Sequence, residues 1–284
     1  MIYEDGEIRG EKVVAERWLR LIYDDPKGAG LLRLASRKVM SRLYGAYCRT
    51  RHSARMIPGF IADNDVDMTG CADRYDNFAR FFSREKKGIR FPGGKRLGSP
   101  CEGLVSVFEN VEPARLVAAK GMEYSLAELL GDEGLAEKYR GGTCLRVRLT
   151  PADYHRMHFF DDGEVTDVQC IDGDLYSVNP LAVAKVARLY CRNKRVRVQL
   201  ATRHFGEVVL VEVGATFVGS IVHRFLVGDN MKRGRQASYF LPGGSLVLVY
   251  FKKGRVSFDA GIVQRTSEQV ETRVKIGAVI GTAL

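Results

Sequence analysis

The 284-residue chain is predicted to be an α+β protein, with N-terminal helices followed by an antiparallel β-rich core. Two observations lead to this prediction. Apolar residues recur near the helical period between about residues 11 and 56. After residue 98, short apolar runs separated by Gly, Asp and Pro replace that pattern, as is usual for antiparallel strands. Helices followed by many short strands are typical of the α+β class.

The composition indicates an ordinary globular protein. Hydrophobic residues make up 45% of the chain and charged residues 27%. No apolar run reaches the roughly 18 residues of a spanning helix, and the acidic start does not resemble a secretory signal, so a cytoplasmic location is expected. The six cysteines form no CxxC pair, which favours reduced thiols over disulfides or a zinc ribbon.

Residues 1–70 are predicted to form a basic amphipathic helical region. No Asp or Glu occurs between Pro26 and Ala62, where basic residues alternate with apolar ones. Such a segment suits the headgroup level of an anionic bilayer, although its apolar face could equally pack on the protein's own core. The net charge of +10 favours polyanionic partners, but nucleic acid is not expected because the helix-turn-helix, RRM and zinc-finger signatures are missing. The basic residues in this window are Lys27, Arg33, Arg37, Lys38, Arg42, Arg49, Arg51 and Arg55.

Residues 71–284 are predicted to form the β-rich core. An aromatic cluster that includes Phe81 and Phe82 precedes the strands, and helical interludes are expected near residues 125–130 and 180–190. No internal repeat or linker divides this core. The predicted strands cover residues 103–108, 143–149, 165–171, 196–200, 207–213, 245–251 and 255–258.

The segment from Pro242 to Ser245 joins a Pro-Gly-Gly turn to an apolar strand. Taken by itself, it is a tight turn before a core strand. The two glycines also allow backbone angles that a Cβ would forbid, so the peptide before Ser245 could be strained and open to attack by the serine itself. Both interpretations remain open at this point.

Two histidines, His155 and His158, are the most distinctive polar pair. Thr150 and Pro151 predict a short helical turn that would place both imidazoles on one face. Such a pair could bind metal, act as acid and base, or serve only the structure. Because no third ligand or HExxH frame is present, no metal site is predicted.

Two further segments could contribute to a site. Glu102 lies on a turn just before a predicted strand, and the small residues of the stretch 213–221 would let backbone or ligand approach closely. Glu102, a histidine and Ser245 could form a triad, but most proteins of this size contain such residues.

Taken together and in order, these segments resemble the phosphatidylserine decarboxylase family of pyruvoyl-dependent, self-cleaving proenzymes. The resemblance covers nearly the whole chain, because each motif stands in the family's order and spacing. The motifs are Asn77-Phe78-Ala79-Arg80-Phe81-Phe82-Ser83-Arg84, Ser99-Pro100-Cys101-Glu102-Gly103, Lys120-Gly121-Met122-Glu123-Tyr124-Ser125-Leu126, Glu128-Leu129-Leu130-Gly131, Asp153-Tyr154-His155-Arg156-Met157-His158, Ser177-Val178-Asn179-Pro180, Val213-Gly214-Ala215-Thr216, Val218-Gly219-Ser220-Ile221 and Gly244-Ser245.

The resemblance implies that the chain cleaves itself between Gly244 and Ser245. Attack by the serine oxygen, β-elimination and hydrolysis would leave a larger chain, 1–244, and a smaller chain, 245–284, that begins with a pyruvoyl group made from Ser245. By position, Glu102, His158 and Ser245 match the family's processing triad. His158 would take the proton of Ser245 while Glu102 orients the ring.

The resemblance also implies the later reaction. The pyruvoyl carbonyl would form a Schiff base with the amine of phosphatidylserine, and loss of CO2 would give phosphatidylethanolamine. His155 would protonate the carbanion. The implied assembly is a heterodimer of the two chains, with homodimerisation left open, peripheral on the anionic inner face of the cell membrane.

Two residues depart from the family pattern and keep alternatives open. Glu102 stands where the family usually has Asp, and Leu246 stands where Thr or Ser usually follows the processed serine. One alternative is a pyruvoyl decarboxylase for another amino acid or amino-acid headgroup. Another is a lipid-binding pseudoenzyme that is not processed.

Overall fold

The computed structural model describes residues 1–10, 38–114, 116–119, 122–178, 180–214, 221–242 and 245–284. Within these ranges the helices are α1 (Lys38–Cys48), a 3-10 helix (Arg51–Met56), α2 (Ile57–Asn64), α3 (Phe78–Phe82), α4 (Leu126–Leu130), α5 (Glu133–Glu137), α6 (Pro180–Lys185), α7 (Leu189–Arg192) and α8 (Ala260–Ser267).

The strands described are β1 (Ile2–Glu4), β2 (Glu7–Arg9), β3 (Arg96–Gly98), β4 (Gly103–Glu109), β5 (Leu116–Ala119), β6 (Met122–Tyr124), β7 (Thr143–Leu149), β8 (Arg156–His158), β9 (Gly163–Ile171), β10 (Arg195–Thr202), β11 (Gly206–Val213), β12 (Ile221–His223), β13 (Asn230–Met231), β14 (Gln236–Phe240), β15 (Ser245–Phe251), β16 (Val256–Phe258), β17 (Glu271–Val274) and β18 (Val279–Ala283). Strands dominate the described residues, and the prediction of an α+β fold is confirmed.

A ten-stranded sheet organises the fold, in the order β13-β9-β10-β11-β15-β7-β4-β17-β1-β2. Its neighbouring strands are antiparallel except for the parallel pair β1 and β17. Smaller sheets, β12-β14-β8, β16-β18-β3 and β5-β6, complete the described strands. Strand β15, predicted from its unbroken apolar run, lies inside the large sheet between β11 and β7, where both of its faces are covered.

The two faces of the large sheet bury two separate apolar cores. Along β15, Val247 and Val249 point to one face, whereas Leu246 and Leu248 point to the other. The first core includes residues of β8 and β14, such as Met157 and Phe240, so the small sheet β12-β14-β8 packs on this face. The second core packs against α4 to α7. Ser245 therefore faces the small sheet, while Leu246 faces the helices.

A third apolar cluster belongs to the N-terminal helices and α3. Phe78, Phe81 and Phe82 are buried there, and Phe60 of α2 packs edge-on against two of these rings. The side chain of Asn77 caps α3 by accepting a hydrogen bond from the Arg80 amide at 2.9 Å. The aromatic motif thus anchors the helical layer and carries Phe82 toward the large sheet.

The first ten residues form a hairpin that was not predicted from the sequence. Strand β1 pairs with β17 at the sheet edge, and β2 follows it antiparallel. Asp5 and Gly6 have φ angles of 50° and 88°, as a two-residue hairpin turn requires. The expected helical stretch from 11 to 37 lies outside the described residues, and the division at residue 70 stays a prediction. Within the described ranges, no helix combines the length and apolar character needed to cross a bilayer.

Candidate active site

Ser245 is the first residue of β15, and its side chain is fully buried. It pairs with Leu149 of β7, so the Thr150 turn lies directly beside it. The hydroxyl Oγ of Ser245 is 3.4 Å from Nδ1 of His155. Gly243 and Gly244 lie outside the described residues, as does the stretch 215–220. The predicted cleavage bond is therefore described only on its serine side.

His155 has the tautomer that a general base needs. Its Nε2 lies 3.0 Å from the carbonyl oxygen of Thr150, and because a carbonyl only accepts, Nε2 carries the proton. Nδ1 then presents a lone pair to the hydroxyl of Ser245. The ring stacks on Phe82, with 4.0 Å between ring centroids. Burial lowers the pKa of His155 to about 3, aided by the nearby charge of Arg84, so the imidazole is neutral at physiological pH.

His158 occupies a different environment. Its Nδ1 donates to the carbonyl oxygen of Gly234 at 2.8 Å, and its Nε2 accepts from the Tyr154 hydroxyl at 3.2 Å. Burial raises the pKa of Tyr154 to about 12, so this hydroxyl keeps its proton, and burial also lowers the pKa of His158. Phe91 stacks on the ring, with centroids 6.0 Å apart. Both ring nitrogens of His158 are thus engaged away from Ser245.

The prediction that a short helical turn places both histidines on one face is wrong. His158 lies in β8, and His155 directly precedes that strand in extended chain. Side chains alternate along an extended chain, so residues three apart point to opposite sides. The structure therefore brings His155, and not His158, to Ser245, and the two imidazoles do not converge on one point.

Glu102 is buried but is held by lysines. Its two carboxylate oxygens lie 3.8 Å from Lys86 Nζ and 3.7 Å from Lys275 Nζ, and both ammonium groups also contact Asp67. Burial raises the pKa of Glu102, while the two lysines oppose that shift. Among the described residues, its Oε2 receives no hydrogen bond. The turn that carries Glu102 contacts His158 through the backbone, where the His158 amide donates to the Pro100 carbonyl at 3.0 Å.

The glycine of the Ser-Pro-Cys-Glu-Gly motif is required on steric grounds. Gly103 has a φ of 153°, and a Cβ there would lie 2.6 Å from the carbonyl oxygen of Arg148. No side chain fits between β4 and β7 at this point. The close strand contact fixes where the preceding Glu102 enters the site.

A cavity of about 270 Å3 adjoins these residues. Thr150, whose carbonyl orients His155, lines it together with Glu102 and Asp153. Arg273 and Lys275 contribute positive charge to its wall. The cavity therefore presents both cations and carboxylates beside Thr150. This residue directly follows Leu149, the β7 residue that pairs with Ser245.

Four side chains around the histidines were not singled out as functional from the sequence: Tyr154, Phe82, Phe91 and Arg84. Arg84 is buried against Phe81, with Nη2 donating to the carbonyl of Ala152 at 2.8 Å. Its Nε and Nη1 have no hydrogen-bond partner among the described residues. Tyr154, Phe82 and Arg84 lie inside the motifs that resemble the family, and their position in these motifs is the sequence signal that could have identified them.

Comparison with known proteins gives the family. The family model described as Phosphatidylserine decarboxylase matches residues 75–282 of the chain. The chain belongs to the phosphatidylserine decarboxylase family. The match spans the aromatic motif, both histidines and Ser245, and the prediction of a carboxy-lyase of this family is confirmed.

The chain is also similar over nearly its full length to curated proteins named phosphatidylserine decarboxylase proenzyme. The protein of Ruminiclostridium cellulolyticum is 40% identical over 281 residues, which cover 96% of this chain and 94% of the relative. That of Clostridium novyi is 41% identical, with 96% and 95% covered, and that of Clostridium perfringens is 39% identical, with 95% of each covered. The word proenzyme in these names describes proteins that are made as precursors.

Proposed function

We propose that the chain is a self-processing phosphatidylserine decarboxylase that converts phosphatidylserine to phosphatidylethanolamine and CO2. The observation that carries this proposal is the buried contact between Ser245 and a neutral His155 whose lone pair faces the hydroxyl. A serine is a weak nucleophile unless a positioned base takes its proton. The family match and the proenzyme names of the relatives support the same reaction class.

In the proposed self-cleavage, the proton of Ser245 Oγ moves to His155 Nδ1 while Oγ bonds to the carbonyl carbon of Gly244. The C–N bond between the two residues breaks, and the proton is returned to the nitrogen that is released. Loss of the Cα proton of residue 245 then expels the carboxylate of Gly244. Hydrolysis of the resulting dehydroalanine consumes one water and releases ammonia, which leaves a pyruvoyl group on chain 245–284.

This proposal gives the proton-transfer step to His155, whereas the resemblance gave it to His158. The 3.4 Å contact and the ring tautomer support His155. His158, which Tyr154 and the Gly234 carbonyl hold in a fixed tautomer, is the other histidine of the motif and lies in β8. Glu102 stays a proposed site residue. In this geometry its carboxylate lies between Lys86 and Lys275, and Lys275 lines the cavity with it.

The surroundings of residue 245 fit a pyruvoyl group. The position is fully buried on the inner face of the sheet, and a pyruvoyl needs no more room than the serine from which it forms. Once formed, the group supplies an electron sink for loss of the substrate carboxylate. His155 is placed to deliver or accept a proton at residue 245, and Phe82 stacks on its ring and holds it in place.

The cavity beside Glu102 supports a charged headgroup as substrate. Phosphatidylserine carries an ammonium, a carboxylate and a phosphate, and the cavity wall presents charges of both signs. Arg273 and Lys275 can attract the anionic groups, while Glu102 and Asp153 can attract the ammonium.

Peripheral contact with an anionic bilayer is part of the proposal. In α1, Leu43 and Tyr47 are exposed, and the exposed Arg49 and Arg51 follow directly. Apolar side chains beside basic ones suit the headgroup level of a membrane. We place the protein on the cytoplasmic face of the cell membrane as a heterodimer of chains 1–244 and 245–284.

The enzymatic proposal is tested with vesicles that contain phosphatidylserine labelled at the serine carboxyl. The purified chain is expected to release labelled CO2 and to form phosphatidylethanolamine. Ser245→Ala removes the nucleophile and the pyruvoyl precursor, and it is expected to release no label above background while remaining folded. Release of label from free serine but not from the lipid would favour the alternative of a soluble substrate.

A further inference from the structure

A second buried polar cluster lies beside Ser245 and has no part in the reaction described above. Glu212 is completely buried in β11. Its Oε1 accepts a hydrogen bond from Ser238 Oγ, and its Oε2 lies 2.5 Å from Nε2 of His223. Ser238 is also fully buried, and His223 is largely so. Glu212, His223 and Ser238 are called the Glu212 cluster below.

The Glu212 cluster is on the same face of the large sheet as Ser245. Glu212 pairs directly with Val247, two residues after Ser245 on β15. Val208 and Leu210 lie four and two residues before Glu212 on β11, so their side chains point to the same face as Glu212. Both belong to one apolar core with Val247. Glu212 and Ser245 are therefore diagonal neighbours, about 7–8 Å apart by ordinary antiparallel geometry.

The cluster joins two different sheets. Glu212 belongs to the large sheet, whereas His223 is in β12 and Ser238 is in β14 of the small sheet. Ser238 pairs with Met157 of β8, and the amide of Phe240 donates to the carbonyl of His155 at 3.0 Å. The same short strands thus contact Glu212 on one side and hold the His155 backbone on the other.

The buried carboxylate of Glu212 strongly favours this packing of the small sheet on the large sheet. Moving an ionised carboxylate out of water is costly unless hydrogen bonds and an opposite charge compensate it. Ser238 and His223 supply those partners only when the small sheet sits in register on the large one. A sliding of the small sheet would leave Glu212 without partners.

We propose that the Glu212 cluster positions His155 against Ser245 by locking the small sheet β12-β14-β8 onto strands β11 and β15. Glu212 is a positioning residue in this proposal, since it acts through His223 and Ser238. The inference rests on the proposed self-cleavage, whose rate depends on the Ser245–His155 distance. A misplacement of about 1 Å can cost on the order of 100-fold in rate.

The charge of His223 makes the lock sensitive to pH. Burial lowers the pKa of His223, but the hydrogen bond and charge of Glu212 outweigh burial, so the pKa stands above its ordinary value of 6.5. The groups facing this pair are Ser238 on β14 and Cys101, whose pKa burial and the charge of Glu212 raise. The ion pair is complete below pH 6.5 and is lost as the pH rises through the pKa of folded His223.

The test compares Glu212→Gln and His223→Gln with a matched control, His204→Gln. His204 also pairs with a buried carboxylate, Asp161, at 2.9 Å. His204 lies just before β11. The first residue of that strand, Gly206, is six residues, or about 20 Å, from Glu212. Both cluster variants are expected to cleave about 10- to 100-fold more slowly than the wild type, and the control at the wild-type rate.

The pH profile separates positioning from general destabilisation. The wild-type cleavage rate is expected to fall as the pH rises above 6.5 and through the pKa of folded His223. His155 is already neutral in this range and adds no change of its own, so His223→Gln is expected to show no such fall. Thermal unfolding verifies that each variant is folded, and His223→Gln decides if Glu212→Gln does not fold. Folded cluster variants that cleave at the wild-type rate, with an unchanged profile, overturn the inference. An uncut wild type instead refutes the proposed function, and the inference fails with it.

Discussion

Replacing His155 by Gln is expected to slow the release of chain 245–284 by about 100-fold or more. Gln cannot take the proton of Ser245, although it keeps a similar length and can still donate to the Thr150 carbonyl. The measurement is the fraction of cut chain over time after the denatured, uncut protein is refolded. Circular dichroism of the variant verifies that the loss reflects chemistry and not misfolding.

His158→Gln is the matched comparison, because the resemblance to the family assigned the base to this residue. In the structure both of its ring nitrogens have partners other than Ser245, so cleavage is expected to be within about tenfold of the wild type. A variant at 158 that stays uncut, beside a variant at 155 that is cut normally, would restore the original assignment and refute the one made here.

The second large effect concerns stability in acid. The pKa of His155 is lowered to about 3 in the folded protein, whereas an unfolded chain restores it to about 6.5. The unfolded state therefore binds this proton first, and the stability that the neutral ring contributes is complete above pH 6.5. We expect it to be lost progressively between pH of about 6.5 and 3, at about 1.4 kcal/mol for each pKa unit.

Urea unfolding across this pH range measures the effect, with Ser245→Ala as background so that a single uncut chain is studied. Adding His155→Gln is expected to flatten the fall in the free energy of unfolding by several kcal/mol. Adding His52→Gln instead, at an exposed histidine, is expected to leave the fall unchanged. Equal slopes for the two double variants would mean that His155 is not held neutral by burial.

The long strands of the fold could be predicted because each carries a clear apolar pattern. The predicted strands at 245–251 and 143–149 have the bounds that the structure gives. The first is an apolar run buried on both faces, whereas the second alternates Arg146 and Arg148 with buried apolar residues. Of the short strands in the small sheets, β16 was predicted at 255–258, whereas the others were missed. Three-residue segments such as β8 and β12 have no periodicity to detect, and they are strands only because a neighbour pairs with them. The Asp5-Gly6 turn was a usable signal that was overlooked.

The members of the site were predictable, but their pairing was not. Resemblance to the family placed Glu102, His155, His158 and Ser245 in one site without saying which side chains touch. Which histidine reaches Ser245 depends on whether residues 155–158 are helical or extended, and tertiary pairing with β14 decides that. Leu246 is explained in the same way, because it packs in the helix-side core and points away from the serine hydroxyl.

The central claim is that Ser245 and His155 break the bond between residues 244 and 245. Intact-mass spectrometry of the purified wild-type protein tests it most directly. The expected result is two chains, 1–244 and 245–284, in which the smaller one has the mass of a pyruvoyl-blocked chain and resists stepwise degradation from its amino end. A single species near 31.7 kDa after prolonged incubation would contradict the claim.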